Sequence, residues 1–193
     1  MTGIRRSVLF ASAVALAMVL PAIAQETPTD LANLAAAQTA ANSKPGPRTV
    51  PGRVIPVPPT AIAPGTPWSD LTETGDTYKT NEWLDNVLVS WHGWLGHAAE
   101  LYANGHDPKD PQLSPIYGDF SGFPPAILTS GTRDLFLSLT VLTHRKLRRA
   151  GVEAELQVFE GVSHAQYYLD PFTPESKEAF TEIARFFDKH LGK

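Results

Sequence analysis

The chain has 193 residues, 42% hydrophobic and 19% charged, with a formal net charge of −4. That length points to one domain, and the weakly acidic balance gives no basic field that would favour a nucleic-acid partner. With no cysteine present, disulfides are excluded and stability must come from the core.

The N-terminus reads as a leader. Arg5 and Arg6 precede an uncharged apolar run from Val8 to Leu20, too short for a comfortable membrane span, and Ala22-Ile23-Ala24 has the small-x-small cleavage pattern. Residues 1–24 are expected to be a secretory signal peptide, cut before Gln25. Export to the periplasm or the outside follows, with no membrane partner after cleavage. The arginine pair also fits a loose twin-arginine signal.

Leu31 to Ala41 is Ala-rich and suits a short helix. Residues 45–67 hold eight prolines, from Pro45 to Pro67. Proline fixes φ and removes a donor, so neither a long helix nor a central strand fits there. Residues 25–79 therefore read as a Pro-rich, largely irregular segment, and 80–193 as the folded domain.

Trp83, Val87, Trp91, Trp94, Leu95, Ala98 and Leu101 recur at three or four residues and predict one helix over 80–104, with Gly105 as its stop. Several Asp-Pro and Ser-Pro pairs then mark an irregular connection through Phe123. Ala126 to Ser130 is a short apolar run that suits a buried strand. Leu135 to Ala150 is helical, with Arg145, Lys146, Arg148 and Arg149 near the C-terminal end of the dipole and Gly151 beyond it. Val152 to Phe159 alternates Ala154, Leu156 and Val158 with Glu153, Glu155 and Gln157, a strand pattern. Thr173-Pro174-Glu175 opens a final helix. The predicted fold class is α/β: a parallel βαβα unit with a right-handed crossover, an upstream helix and a Pro-rich extension.

In a parallel sheet the C-terminal strand ends share one edge, where ligands bind. Asp134 follows the first strand and His164 the second, so both loops leave that edge. A carboxylate beside an imidazole fixes the ring tautomer and stabilises the imidazolium formed when the far nitrogen takes a proton, normally from an attacking serine hydroxyl. Two plainer readings stay open on spacing alone. Asp134 could simply cap the helix from Leu135, and His164 could be a loop histidine without a task.

Residues 107–191 resemble the C-terminal part of the hormone-sensitive-lipase-like esterases, the α/β-hydrolase fold-3 family. Asp110-Pro111-Gln112-Leu113-Ser114-Pro115 resembles the family's D-P-x-x-S-P stretch. The run from Phe123 to Asp134, with Pro124-Pro125 early and Gly131 three residues before the acid, resembles its strand and acid turn. Ala150-Gly151-Val152 and Glu160-Gly161-Val162-Ser163-His164 resemble the helix end and histidine loop. The resemblance implies a partial α/β-hydrolase fold with Asp134 as triad acid and His164 as triad base. It also implies carboxylic ester hydrolysis of small-molecule esters without metal or organic cofactor. Leu135-Phe136-Leu137-Ser138 departs from the family's usual Pro-Leu and second Asp, and Gln166 stands where an aromatic residue is usual.

The large departure is upstream. The family carries a His-Gly-Gly oxyanion loop and a Gly-Asp-Ser-Ala-Gly elbow before the acid, and no G-x-S-x-G occurs in this sequence. The lost segment is expected between the Pro-rich region and the helix at 80–104, leaving the first strand with an open edge. Ser90, Ser121, Ser130 and Ser163 are poor substitutes: one is on a helical pattern, one in an open loop, one within a strand and one beside the histidine. His92-Gly93-Trp94-Leu95-Gly96 superficially matches an oxyanion loop, but its period fits the Trp-lined helix. His92 and His97 do not share a helix face for a metal, and Asp107, Asp110 and Asp119 lack calcium-loop spacing. The chain is expected to be an internally shortened esterase relative, inactive alone. The alternatives are an active ester hydrolase with a non-standard nucleophile, or a noncatalytic exported binding module using 80–104.

Overall fold

The computed structural model describes residues 59–191. The expected signal peptide, the helix at 31–41 and the prolines up to Pro58 lie outside them. The chain divides into two units, and the described residues belong to the second, which begins at Pro59.

Strands β1 (Ala126–Gly131) and β2 (Ala154–Phe159) pair in parallel, with Ala126 opposite Ala154 and Gly131 opposite Phe159. The short helices α1 (Thr77–Thr80) and α2 (Gly96–Ala103) precede them. Helix α3 (Leu137–Arg149) joins the strands, and α4 (Gln166–Leu169) and α5 (Pro174–Leu191) follow. The βαβα unit therefore forms within a few residues of the predicted bounds. Gly151, at φ 77°, ends α3, and Thr173 caps α5 by accepting from Ser176 N at 3.2 Å.

The edge of β1 is closed, not open as expected. Ile62 and Gly65 bridge in parallel to Ala126 and Thr129 on the side away from β2. Ile62 N donates to Pro125 O (2.9 Å), Ile127 N to Ile62 O (3.0 Å) and Thr66 N to Thr129 O (2.7 Å). Pro64 fits because this ladder uses only its carbonyl, which accepts from Thr129 N at 3.2 Å. The folded unit accordingly includes residues 59–79, which the proline content had marked as irregular.

Flanked on both sides, β1 is buried at every position, the polar Thr129 and Ser130 included. The alternation expected in β2 holds only in part: Val158 is 40% exposed while Gln157 is buried. Gln157 spends that burial on a hydrogen bond from Nε2 to Thr129 Oγ1 at 2.6 Å.

The single helix expected over 80–104 does not form. Trp83 and Val89 have φ of 66° and 63°, and Ser90 is extended before a tight π-type turn at Trp91–Leu95 that contains a non-helical Gly93. The cause is Asp85. Its buried carboxylate accepts from Val87 N (2.9 Å) and Leu88 N (3.1 Å), and also from Leu135 N (2.8 Å) at the start of the α3 turn. Local side-chain bonding of this kind competes with helix. Trp83 and Trp94 end up exposed, while Trp91 packs against Tyr78 with rings 5.3 Å apart.

Two apolar clusters hold the unit. One joins Tyr78, Leu88, Leu95, Leu135, Phe136 and Leu139, the other Phe120, Ala126, Leu128, Leu147 and Ala154. Each large side chain so buried contributes about 1.5–3 kcal/mol. Tyr78 is the awkward member, because its buried hydroxyl finds no hydrogen-bond partner among the described residues. Burial, then the charge of Asp70, pushes its phenol above the ordinary value of 10.0. A raised folded-state value means full stability below pH 10 and progressive loss above it, as the unfolded phenol ionises first. Tyr78→Phe is expected to leave stability at neutral pH unchanged or up to about 1 kcal/mol higher. It should also flatten the fall in unfolding midpoint above pH 10. Destabilisation at pH 7 would count against this packing.

Candidate active site

The two residues singled out from sequence meet at the C-terminal rim of the β1–β2 pair. Asp134 Oδ1 lies 3.0 Å from His164 Nδ1, and both side chains are fully buried. Three hydrogen bonds stitch the loops beneath them: Thr132 N to Phe159 O (2.9 Å), Arg133 N to Val162 O (3.1 Å) and Gly161 N to Thr132 Oγ1 (2.8 Å). The loops therefore extend the strand pairing past its formal end, and that registers acid against imidazole.

Asp134 bonds both to the histidine and to the turn that leads into α3. Besides His164, it accepts from Phe136 N at 2.8 Å, which shapes the turn into α3, and from Ser130 Oγ at 2.7 Å. Its own backbone is held from the 81–90 segment. Asn81 Nδ2 donates to Thr132 O (3.0 Å) and Asp134 O (2.9 Å), next to the bond from Leu135 N to Asp85.

The histidine is clamped in turn. Phe136 meets its ring edge-on at 5.0 Å. Ser163 Oγ accepts from Asn86 N at 3.2 Å, and Gln166, in the place of the expected aromatic, accepts from Ser163 N at 3.0 Å. Tyr167 adds a neutral phenol nearby: burial, then the charge of Asp134, pushes it up to about 12.

None of the four serines weighed from sequence reaches the imidazole. Ser90 Oγ binds Glu82 at 2.6 Å, Ser130 binds the acid, Ser163 takes Asn86 N, and Ser121 is exposed in a turn. The hydroxyl on Nε2 of His164 belongs to Thr66, at 3.3 Å. Sequence reasoning missed it because Pro64-Gly65-Thr66-Pro67 reads as linker. The available signal was its place at the end of a short apolar run, Ala61-Ile62-Ala63, the same strand-then-turn pattern as Asp134.

Among the described residues no three His, Asp or Glu side chains converge as a metal would need. An open groove of about 490 Å³, lined by Ile116, Phe120, Leu142 and Lys146 among others, shares no residue with the Asp134–His164 pair.

A sequence profile described as the alpha/beta hydrolase fold matches residues 31–168. The crystal structure of an esterase, E25, superposes with a TM-score of 0.67 at 51% identity, over 68% of this chain and 40% of that one. An esterase from the bacterial hormone-sensitive lipase family gives a TM-score of 0.65 at 30% identity, over 69% and 44%. An acetyl-hydrolase of Streptomyces hygroscopicus is 27% identical over 138 residues, 72% of this chain and 45% of that protein. The chain thus spans less than half the length of each of these relatives. A parallel βαβα unit with an acid turn and a histidine loop at one rim, matched by that profile over most of its length, makes this chain a member of the alpha/beta hydrolase fold family, related to its hormone-sensitive-lipase-like esterases.

Proposed function

We propose that the chain carries the acid–base half of a carboxylic ester hydrolase, with Asp134 as the acid and His164 as the base of a Ser-Asp-His arrangement, and that alone it sustains no ester turnover. One observation carries the reading: a 3.0 Å contact between a carboxylate and an imidazole, both fully buried, at adjoining strand ends. With Asp134 accepting at Nδ1, the neutral ring keeps its hydrogen there, and Nε2 is left free to take a proton. The missing partner is a serine at Nε2. No G-x-S-x-G exists in the 193 residues, and losing a triad serine removes rate on the order of a million-fold. The acyl groups most in keeping with the relatives are small, since one of them is named an acetyl-hydrolase. Arg5-Arg6, the apolar run and Ala22-Ile23-Ala24 support export of this chain by residues 1–24.

The test is steady-state hydrolysis of p-nitrophenyl acetate by the full chain. Release is expected to stay at the uncatalysed rate after at most one equivalent. Sustained release that His164→Ala abolishes would overturn the inactive reading in favour of an ester hydrolase with a non-standard nucleophile. That second reading has one observation behind it, the Thr66 hydroxyl at Nε2.

A further inference from the structure

Thr66 combines two features that rarely coincide. Its φ is 42°, in the left-handed region, where a β-branched side chain is an outlier. Its side chain is also buried, with Oγ1 against the ring of a buried histidine. The strained conformation is held by the bond from Thr66 N to Thr129 O at 2.7 Å. Strain of this kind at a buried polar residue marks a place where the surroundings over-determine the backbone, and such places cluster at reactive sites.

The hydrogen-bond direction follows from the rest of the chain. Asp134 only accepts, so Nδ1 of the neutral ring donates to it and Nε2 is the acceptor. The Thr66 hydroxyl then donates to Nε2, which is the direction a base needs to take its proton. The 3.3 Å separation is long for a formed bond, as catalytic contacts often are before substrate arrives.

We propose that Thr66 Oγ1 is an acyl acceptor, activated by His164 and Asp134, that takes one small acyl group from an activated ester. The inference rests on the base role of His164 proposed above. Thr66 Oγ1 attacks the carbonyl carbon, its proton passes to Nε2, and the bond from that carbon to the ester oxygen breaks. The leaving alcohol takes the proton from Nε2, or departs as the anion while the proton goes to water. The product is a threonine ester. Thr66 is 3% exposed and His164 0%, which restricts the acyl group to a small one. The neighbouring Gly65 is exposed and offers the approach. Tyr167's hydroxyl lies against Gly65, so close that a Cβ there would sit 2.0 Å from it, and burial keeps that phenol protonated.

The experiment is acylation of the full chain by p-nitrophenyl acetate, followed by intact mass and peptide mapping. The expected result is one acetyl group per chain, on Thr66. Labelling of that site should disappear in Thr66→Val, which keeps the volume, persist in Thr66→Ser, and slow by about 100-fold in His164→Gln. Unfolding midpoints of the three variants verify that each is folded, and mapping on the unaltered chain needs no variant at all. No acetylation of the unaltered chain, or acetyl groups only on residues other than Thr66, overturns the proposal. If that other labelling is lost in His164→Gln, Thr66 is excluded while the base role of His164 survives. If Thr66 is labelled equally fast in His164→Gln, the base role fails and the proton chain proposed here fails with it.

Discussion

Replacing Asp134 by alanine is expected to cost about 3–5 kcal/mol of folding stability, enough to unfold much of a domain whose total is of the usual size. Three buried donors converge on this carboxylate: Ser130 Oγ at 2.7 Å, Phe136 N at 2.8 Å and His164 Nδ1 at 3.0 Å. Removing it leaves all three without an acceptor in a region closed to water, and each such group costs about 1–3 kcal/mol. The size of the loss separates the roles that the sequence left open. A residue that only capped the following helix would cost about 1 kcal/mol. Asp134→Asn should fall between these limits, since it keeps one carbonyl oxygen and most of the shape. Urea unfolding of both variants, with His164→Ala in a double-mutant cycle, gives the coupling directly. A loss under about 1 kcal/mol in Asp134→Ala would show that the buried network is not formed.

The second large effect is expected from Gly131→Ala, a change of one methyl group costing roughly 3 kcal/mol or more. Gly131 closes β1, and its backbone is not in the left-handed region, so its requirement is for space. A Cβ there would lie 1.9 Å from the carbonyl oxygen of Val162 and 2.8 Å from its Cβ. That carbonyl cannot retreat cheaply, because it accepts from Arg133 N at 3.1 Å and the next loop bond, Gly161 N to Thr132 Oγ1, holds the same stretch. The methyl must therefore push the histidine loop away from the acid turn. Urea unfolding should show the lost stability, and the His164 imidazole resonances should lose the signature of a hydrogen bond to Asp134. A variant as stable as the parent, with those resonances unmoved, would refute the close approach of the two loops.

How far the sequence could be read depended on where the determining contacts lie. The βαβα unit was legible because its signals are local: an apolar run ending at Gly131, a helix stopped by Gly151, and Thr173-Pro174-Glu175 at the start of α5. The segment at 80–104 was misread for the opposite reason. Its apolar spacing is helical, but Asp85 bonds to Leu135 N, fifty residues away, and to the amides of its own turn. Periodicity carries no information about such a partner. The prolines near residue 60 misled in the same way, since whether a missing N–H matters depends on which face of the ladder the residue turns to the neighbouring strand.

By itself, then, the sequence determined the parallel unit and the two side chains at its rim, because period, caps and strand-end position are properties of contiguous residues. Only the tertiary structure decided that Pro64 and its neighbours close the edge of β1, that Gly131 makes room for the histidine loop, and that Thr66 supplies the hydroxyl at His164 Nε2. The reason is one of range: those three outcomes depend on side chains and backbone groups dozens of residues apart in the chain, brought within a few ångströms only when the sheet assembles.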